Sequence, residues 1–138
     1  MKNCGLLRRF GAILYDTILV IALLLFASVP FVIFRAGEAV EPYTIGHQVT
    51  LLLVVLAFFI GFWSRSGSTL GMLAWGLRVE TPDGNTPSPT AASIRCAAAV
   101  LSWIPLGLGF FWQLWDREQM TWHDRLSGTR LRYYPKPE

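Results

Sequence analysis

The chain has 138 residues, of which 53% are hydrophobic and 15% charged, against about 25% charged in soluble domains. That deficit, together with long uncharged runs, excludes an ordinary soluble domain and points to an integral membrane protein with a single domain over residues 1–138. The net charge of +3 comes from ten Arg and two Lys against nine acids; with no dense basic block among aromatics, it reads as membrane topology rather than nucleic-acid binding.

The strand-like segments are too few to close a barrel, so the expected fold is mainly α, with any sheet outside the lipid. Cys4 and Cys96 are too few for a disulfide framework and read as free thiols. Neither belongs to a Cys/His cluster, so no metal or other cofactor is expected. Arg8-Arg9-Phe10 faintly resembles a twin-arginine signal, but Asp16 interrupts the apolar region and no A-x-A site follows, so an uncleaved anchor is expected.

The first span is predicted over about residues 10–34. Its segment Thr17 to Phe34 holds 18 uncharged residues, about 27 Å of helix against a hydrocarbon core of about 30 Å. Arg35, Glu38 and Glu41 give the following loop a charge of −1, which places it outside. The second span is predicted over about residues 45–63, with His47 near its outer mouth and Trp63 at the inner headgroup level. After the polar turn Ser64 to Thr69, Leu70 to Trp75 is too short to span and reads as an interfacial helix.

Leu77 to Thr81 alternates, Pro82-Asp83-Gly84-Asn85 is a turn, and Thr129 to Tyr134 alternates again. A small cytoplasmic sheet joining strands over about 77–81 and 129–134 is predicted. Between them lies a third hydrophobic segment, residues 94–115. Cys96 to Trp115 carries 20 uncharged residues, enough for a crossing by length. Charge favours a re-entrant or hairpin course instead: returning to its starting side puts eleven of the twelve basic residues inside. Pro105, Gly107 and Gly109 offer the break. Downstream, Thr121-Trp122-His123-Asp124 fits a capping box, with Gly128 ending the short helix that it begins.

The chemistry-bearing candidates are few. Asp16 is a carboxylate inside the first span, where a charge needs a partner, water or a proton. Arg9 lies two helical turns before it on the same face, about 10 Å away along the axis, so the two do not pair. Ala12 on that face, with Gly11 beside it, admits a neighbouring helix closely. Asp16 then either pairs with Arg95, Arg125 or a loop amide and pins helices, or binds a proton or cation. Its expected setting is the junction where Arg95 and the Thr121–Asp124 turn return to the membrane. His123 and Asp124 are either a proton-handling pair or the capping box alone, and Asp116, at the interface after Trp115, reads as either a solvated acid or a neighbour of Arg117. No nucleophile motif or phosphate loop is present, so no enzyme is expected.

Four blocks in chain order resemble the RDD family of small bacterial membrane proteins. R-x-x-A-x-x-x-D is matched by Arg9, Ala12 and Asp16; the middle glycine block by Gly67, Thr69, Gly71, Gly76, Val79 and the Asp83-Gly84 turn; a helix opening with Arg by Arg95; the closing block by Asp116, His123, Asp124, Gly128 and Thr129. Met72 departs from the pattern, standing where the family commonly has Lys. The resemblance implies a small protein of the bacterial cytoplasmic (inner) membrane, and the charge distribution places its N-terminus and, with the hairpin course, its C-terminus in the cytoplasm. The resemblance also implies a transport component, moving a cation or small solute with protons at an acidic site of Asp16, Asp124, Arg9 and His123. The alternative is a non-catalytic adaptor or assembly factor whose Arg and Asp residues are structural. Expected partners are the lipid bilayer and a second copy or another membrane protein.

Overall fold

A computed structural model describes residues 2–3, 5–42 and 44–135; Cys4 and Lys136 lie outside the described residues. In chain order the elements are β1 (Lys2–Asn3), α1 (Leu6–Phe34), α2 (Ile45–Ser66), α3 (Leu70–Ala74), β2 (Leu77–Glu80), α4 (Pro89–Trp103), α5 (Leu108–Phe111), a 3-10 turn (Trp112–Leu114), α6 (Trp122–Ser127) and β3 (Arg130–Tyr133).

The helices α1 and α2 are long and apolar enough to cross a membrane. Their 29 and 22 residues correspond to about 44 and 33 Å of helix. Large apolar side chains such as Ile18, Leu25, Phe26, Leu52 and Leu53 are exposed along them, as lipid-facing residues are. The buried face of α1 is short and polar: Arg9, Ala12 and Asp16, at the helical spacing of three and four residues. It begins at Leu6, about one turn before the predicted start, ahead of its long uncharged run.

The end of α2 corrects the sequence expectation. The helix continues through Ser66 and stops at Gly67, whose φ of 72° supplies a left-handed cap. Ser64 and Ser66 are carried inside it by hydroxyl bonds to the Ile60 and Phe62 carbonyls. Trp63 is buried and belongs to the core with Ala12, Met72, Leu77, Val79, Ala92 and Leu131. A bond from the Val79 N–H to the Gly67 carbonyl, 2.7 Å, ties the helix end to the sheet.

The sheet has three strands in the order β1-β3-β2, all antiparallel. The two predicted strands pair with Val79 opposite Leu131, both directed into the core. Lys2–Asn3 add a third strand that a two-residue segment does not announce. Because β1 precedes α1, β2 precedes α4 and β3 closes the fold, the sheet gathers the start of α1, the end of α2, the start of α4 and the last strand at one end of the molecule. The loop between α1 and α2 lies at the other.

That pairing decides the course of the third hydrophobic segment. It leaves the sheet end through α4, bends by 107° and returns through α5 and the 3-10 turn, after which α6 packs against α4. Pro105 removes a helical donor, and Leu106 and Gly107 turn the chain at φ of 56° and 80°. The halves are unequal, fifteen residues of α4 against four of α5, because Ser88 caps α4 at Pro89, well before the uncharged run.

Candidate functional site

Two buried polar clusters sit where the spans meet the sheet end. The first is built on Asp124, in the first turn of α6 and fully buried. Arg9 of α1 donates from Nη2 to Asp124 Oδ2 at 2.7 Å, and Arg95 of α4 donates from Nη1 to Oδ1 at 2.6 Å. The Thr121 backbone N–H donates to Oδ2 at 3.1 Å, so the predicted capping bond is present, with two arginines added to it. The Arg95 guanidinium also donates to Thr129 Oγ1 at 3.0 Å and lies over the Trp63 ring, 5.2 Å from its centroid. Gly128, at φ 64°, ends α6 and turns Thr129 back toward Arg95.

Electrostatics keeps this cluster charged in one pattern. Burial pushes the Asp124 carboxyl up, but the Arg9 and Arg95 guanidiniums outweigh it and hold the group well below the usual carboxylate range. His123 packs against Phe110, ring centroids 4.9 Å apart, with its ring nitrogens beside Thr121 Oγ1. Burial and the neighbouring Arg95 and Arg9 charges push it down to about 3. It is therefore neutral near pH 7, which makes it a poor proton carrier there.

The second cluster holds Asp16. Its Oδ1 accepts the Gly71 N–H at 2.8 Å and its Oδ2 accepts the Thr69 hydroxyl. Thr69 is also the N-cap of α3, accepting the Met72 N–H. Gly71 lies so close to α1 that a Cβ there would stand 2.5 Å from the Ala12 carbonyl oxygen. None of the partners expected for Asp16 holds it as stated: its amide donor, Gly71, belongs to the first turn of α3 and not to a loop, while Arg95 is bonded to Asp124 and Arg125 to Asp116. The junction of Arg95 with the Thr121–Asp124 turn is taken by Arg9, because two helical turns separate Arg9 from Asp16.

Asp116 is also corrected. It is bonded by Arg125, not a free neighbour of Arg117, and it accepts the Met120 and Glu118 backbone N–H groups at 2.9 and 3.2 Å. These bonds, the Met120 amide first, hold its carboxyl below the ordinary range. Gly76, at φ 68°, admits the Tyr134 carbonyl beside it. Asp83 and Gly84 lie in the exposed turn after β2 and join neither cluster. Met72 is buried, and its sulfur accepts the Trp63 indole N–H at 3.3 Å.

One cluster went unread in the sequence. Glu80, buried in β2, pairs with Arg132 Nε at 2.5 Å and accepts the Tyr134 hydroxyl at 2.7 Å. The signal was present, since alternation puts Glu80 and Arg132 in paired strands, but only the register makes them neighbours. Between α1, α2 and α4 there is a cavity of about 730 Å³, open on one side, with Arg9, Asp16, Arg95 and His123 among its lining. Of the four residues expected to form one ion site, Arg9, Asp16 and His123 line this cavity and Asp124 does not, and their bonds divide the four between two clusters.

The sequence matches the RDD family over residues 4–128. It is similar to the uncharacterized protein RP437 of Rickettsia prowazekii (strain Madrid E), 32% identical over 81 residues, which cover 58% of this chain and 44% of the relative. The chain therefore spans less than half the length of that curated relative. No solved structure matches it. With residues 4–128 of its 138 matched, nearly the whole chain, this chain belongs to the RDD family.

Proposed function

We propose that the chain is a non-enzymatic module of the bacterial cytoplasmic membrane whose Arg and Asp residues lock a strand-and-helix cap onto two spans, so that the cap serves as an adaptor surface for another membrane protein or a second copy. The observation that carries this is the state of the acids. Asp124 is held by Arg9, Arg95 and the Thr121 amide; Asp16 is held by Gly71 and Thr69. Each acid is occupied in joining elements distant in sequence, which suits a tie more than a group that must load and release an ion. The neutral state of His123 supports the same conclusion.

A second reading has its own observation: Asp16 lines the open cavity beside Arg9, as membrane carboxylates do in ion pathways. Reconstitution separates the two. For an adaptor, vesicles carrying the protein move no more cations against a proton gradient than empty vesicles, and Asp16→Asn lowers the melting temperature. Proton-coupled flux in the wild type, lost in Asp16→Asn at an unchanged melting temperature, establishes transport instead.

A further inference from the structure

The cavity between α1, α2 and α4 has a composition that the two clusters do not require. Its walls are mostly apolar, among them Leu52 and Val55 of α2 and Ala97 and Val100 of α4. Arg9 and Arg95 line its polar end. Their Nη atoms are bonded to Asp124, Thr121 and Thr129. The Nε–H of each is buried with no acceptor among the described residues. Two buried donors at the end of an apolar space are costly unless an acceptor reaches them. At about 730 Å³ the space falls within the range of small-ligand sites, roughly 300–1,000 Å³.

Charge defines the occupant further. Among the described residues, every basic residue but Arg35 lies outside the loop between α1 and α2, and that loop is net negative. Within the first cluster, two guanidiniums face one carboxylate and a neutral imidazole, leaving one positive charge over. Asp16 also lines the space, but both of its oxygens are bonded to Gly71 and Thr69, and it lies about 10 Å farther along α1. Exposed Leu52, Ala97 and Val100 put the apolar walls in reach of lipid tails.

We propose that this cavity is a specific site for one anionic phospholipid of the surrounding membrane. One acyl chain lies between α1, α2 and α4, and a headgroup or ester oxygen accepts from Arg9 and Arg95. Arginine suits the role because its fork bonds a carboxylate and still offers a further donor. This site stands whether or not the cap recruits a partner, and its test is separate from the flux measurement.

The full chain is purified from vesicles holding equal amounts of phosphatidylglycerol and phosphatidylcholine, washed in detergent, and its bound lipid counted by native mass spectrometry. One phosphatidylglycerol per chain is expected, retained in preference to phosphatidylcholine. Filling the space from either wall, with Ala97→Trp or Leu52→Trp, removes that lipid while the melting temperature shows a folded protein. Two variants on different helices guard against one failing to fold. Equal retention of the two lipids overturns the proposal. So does a single-chain fatty acid or a second protein copy in place of the lipid, or a lipid that persists in both folded variants.

Discussion

At the residue scale, Asp124 carries the most consequence. A buried carboxylate shared by two buried arginines is costly to assemble and far more costly to break, about 3–5 kcal/mol when one partner is removed. Asp124→Asn keeps an acceptor for the Thr121 N–H but leaves Arg9 and Arg95 without a counter-charge. A melting temperature lowered by that order of energy is expected; a shift within error shows that the arginines find other acceptors. His123 gives a pH prediction. Its folded pKa, near 3, lies below the ordinary value of about 6.5, so the unfolded chain binds a proton that the folded chain refuses. The stability it contributes is whole above pH 6.5 and drains as pH falls toward 3. Melting temperature should therefore drop between pH 6.5 and 5, before most carboxylates titrate. The drop should flatten in His123→Gln, and an unchanged slope there assigns the effect to another group.

At the element scale, α3 shows how a five-residue helix is held where its own propensity is too weak. Thr69 caps it, Asp16 grips its first turn, and the missing side chain of Gly71 lets it approach α1. Gly71→Ala forces a methyl against the Ala12 carbonyl and is expected to cost roughly 1–3 kcal/mol, the usual range for overpacking. The sign is opposite to the gain that alanine brings to an exposed helical position, so a stabilised variant sinks this account of the contact. Two short elements were legible in the sequence by local signals: α6 by its capping box at Thr121, and α3 by a short apolar run after the polar turn that ends at Thr69. The two-residue β1 was not, since its strand character exists only through pairing with β3.

At the scale of the whole molecule, the sheet sets topology. Since β1, β2 and β3 share it, the start of α1 and the last strand lie at one end of the molecule. A reporter fused after Pro135 is therefore expected to give the same signal as one fused at the N-terminus, and the excess of basic residues leads us to expect a cytoplasmic signal from both. A periplasmic signal from the Pro135 fusion means that the third hydrophobic segment crosses. The same scale explains the limits of the sequence for the polar clusters. Arg9, Arg95 and Asp124 were each marked by motif, and Asp16 by its place in an apolar run. Their pairing depends on which helix faces which, with Arg9 and Asp124 115 positions apart, a separation that no local pattern spans.

By itself the sequence determined a membrane protein with two long apolar helices, a broken third segment, a small sheet and a set of arginines and aspartates that require partners. Uncharged length, alternation and helix caps are local properties, and they survive whatever the rest of the chain does. Only the tertiary structure decided who meets whom: Asp16 with Thr69 and Gly71, Asp124 with both arginines, Glu80 with Arg132, and Trp63 in the core. A buried charge accepts the nearest geometrically competent donor. Nearness is fixed by the close approach at Gly71, the bend at Pro105 and the register of β2 against β3.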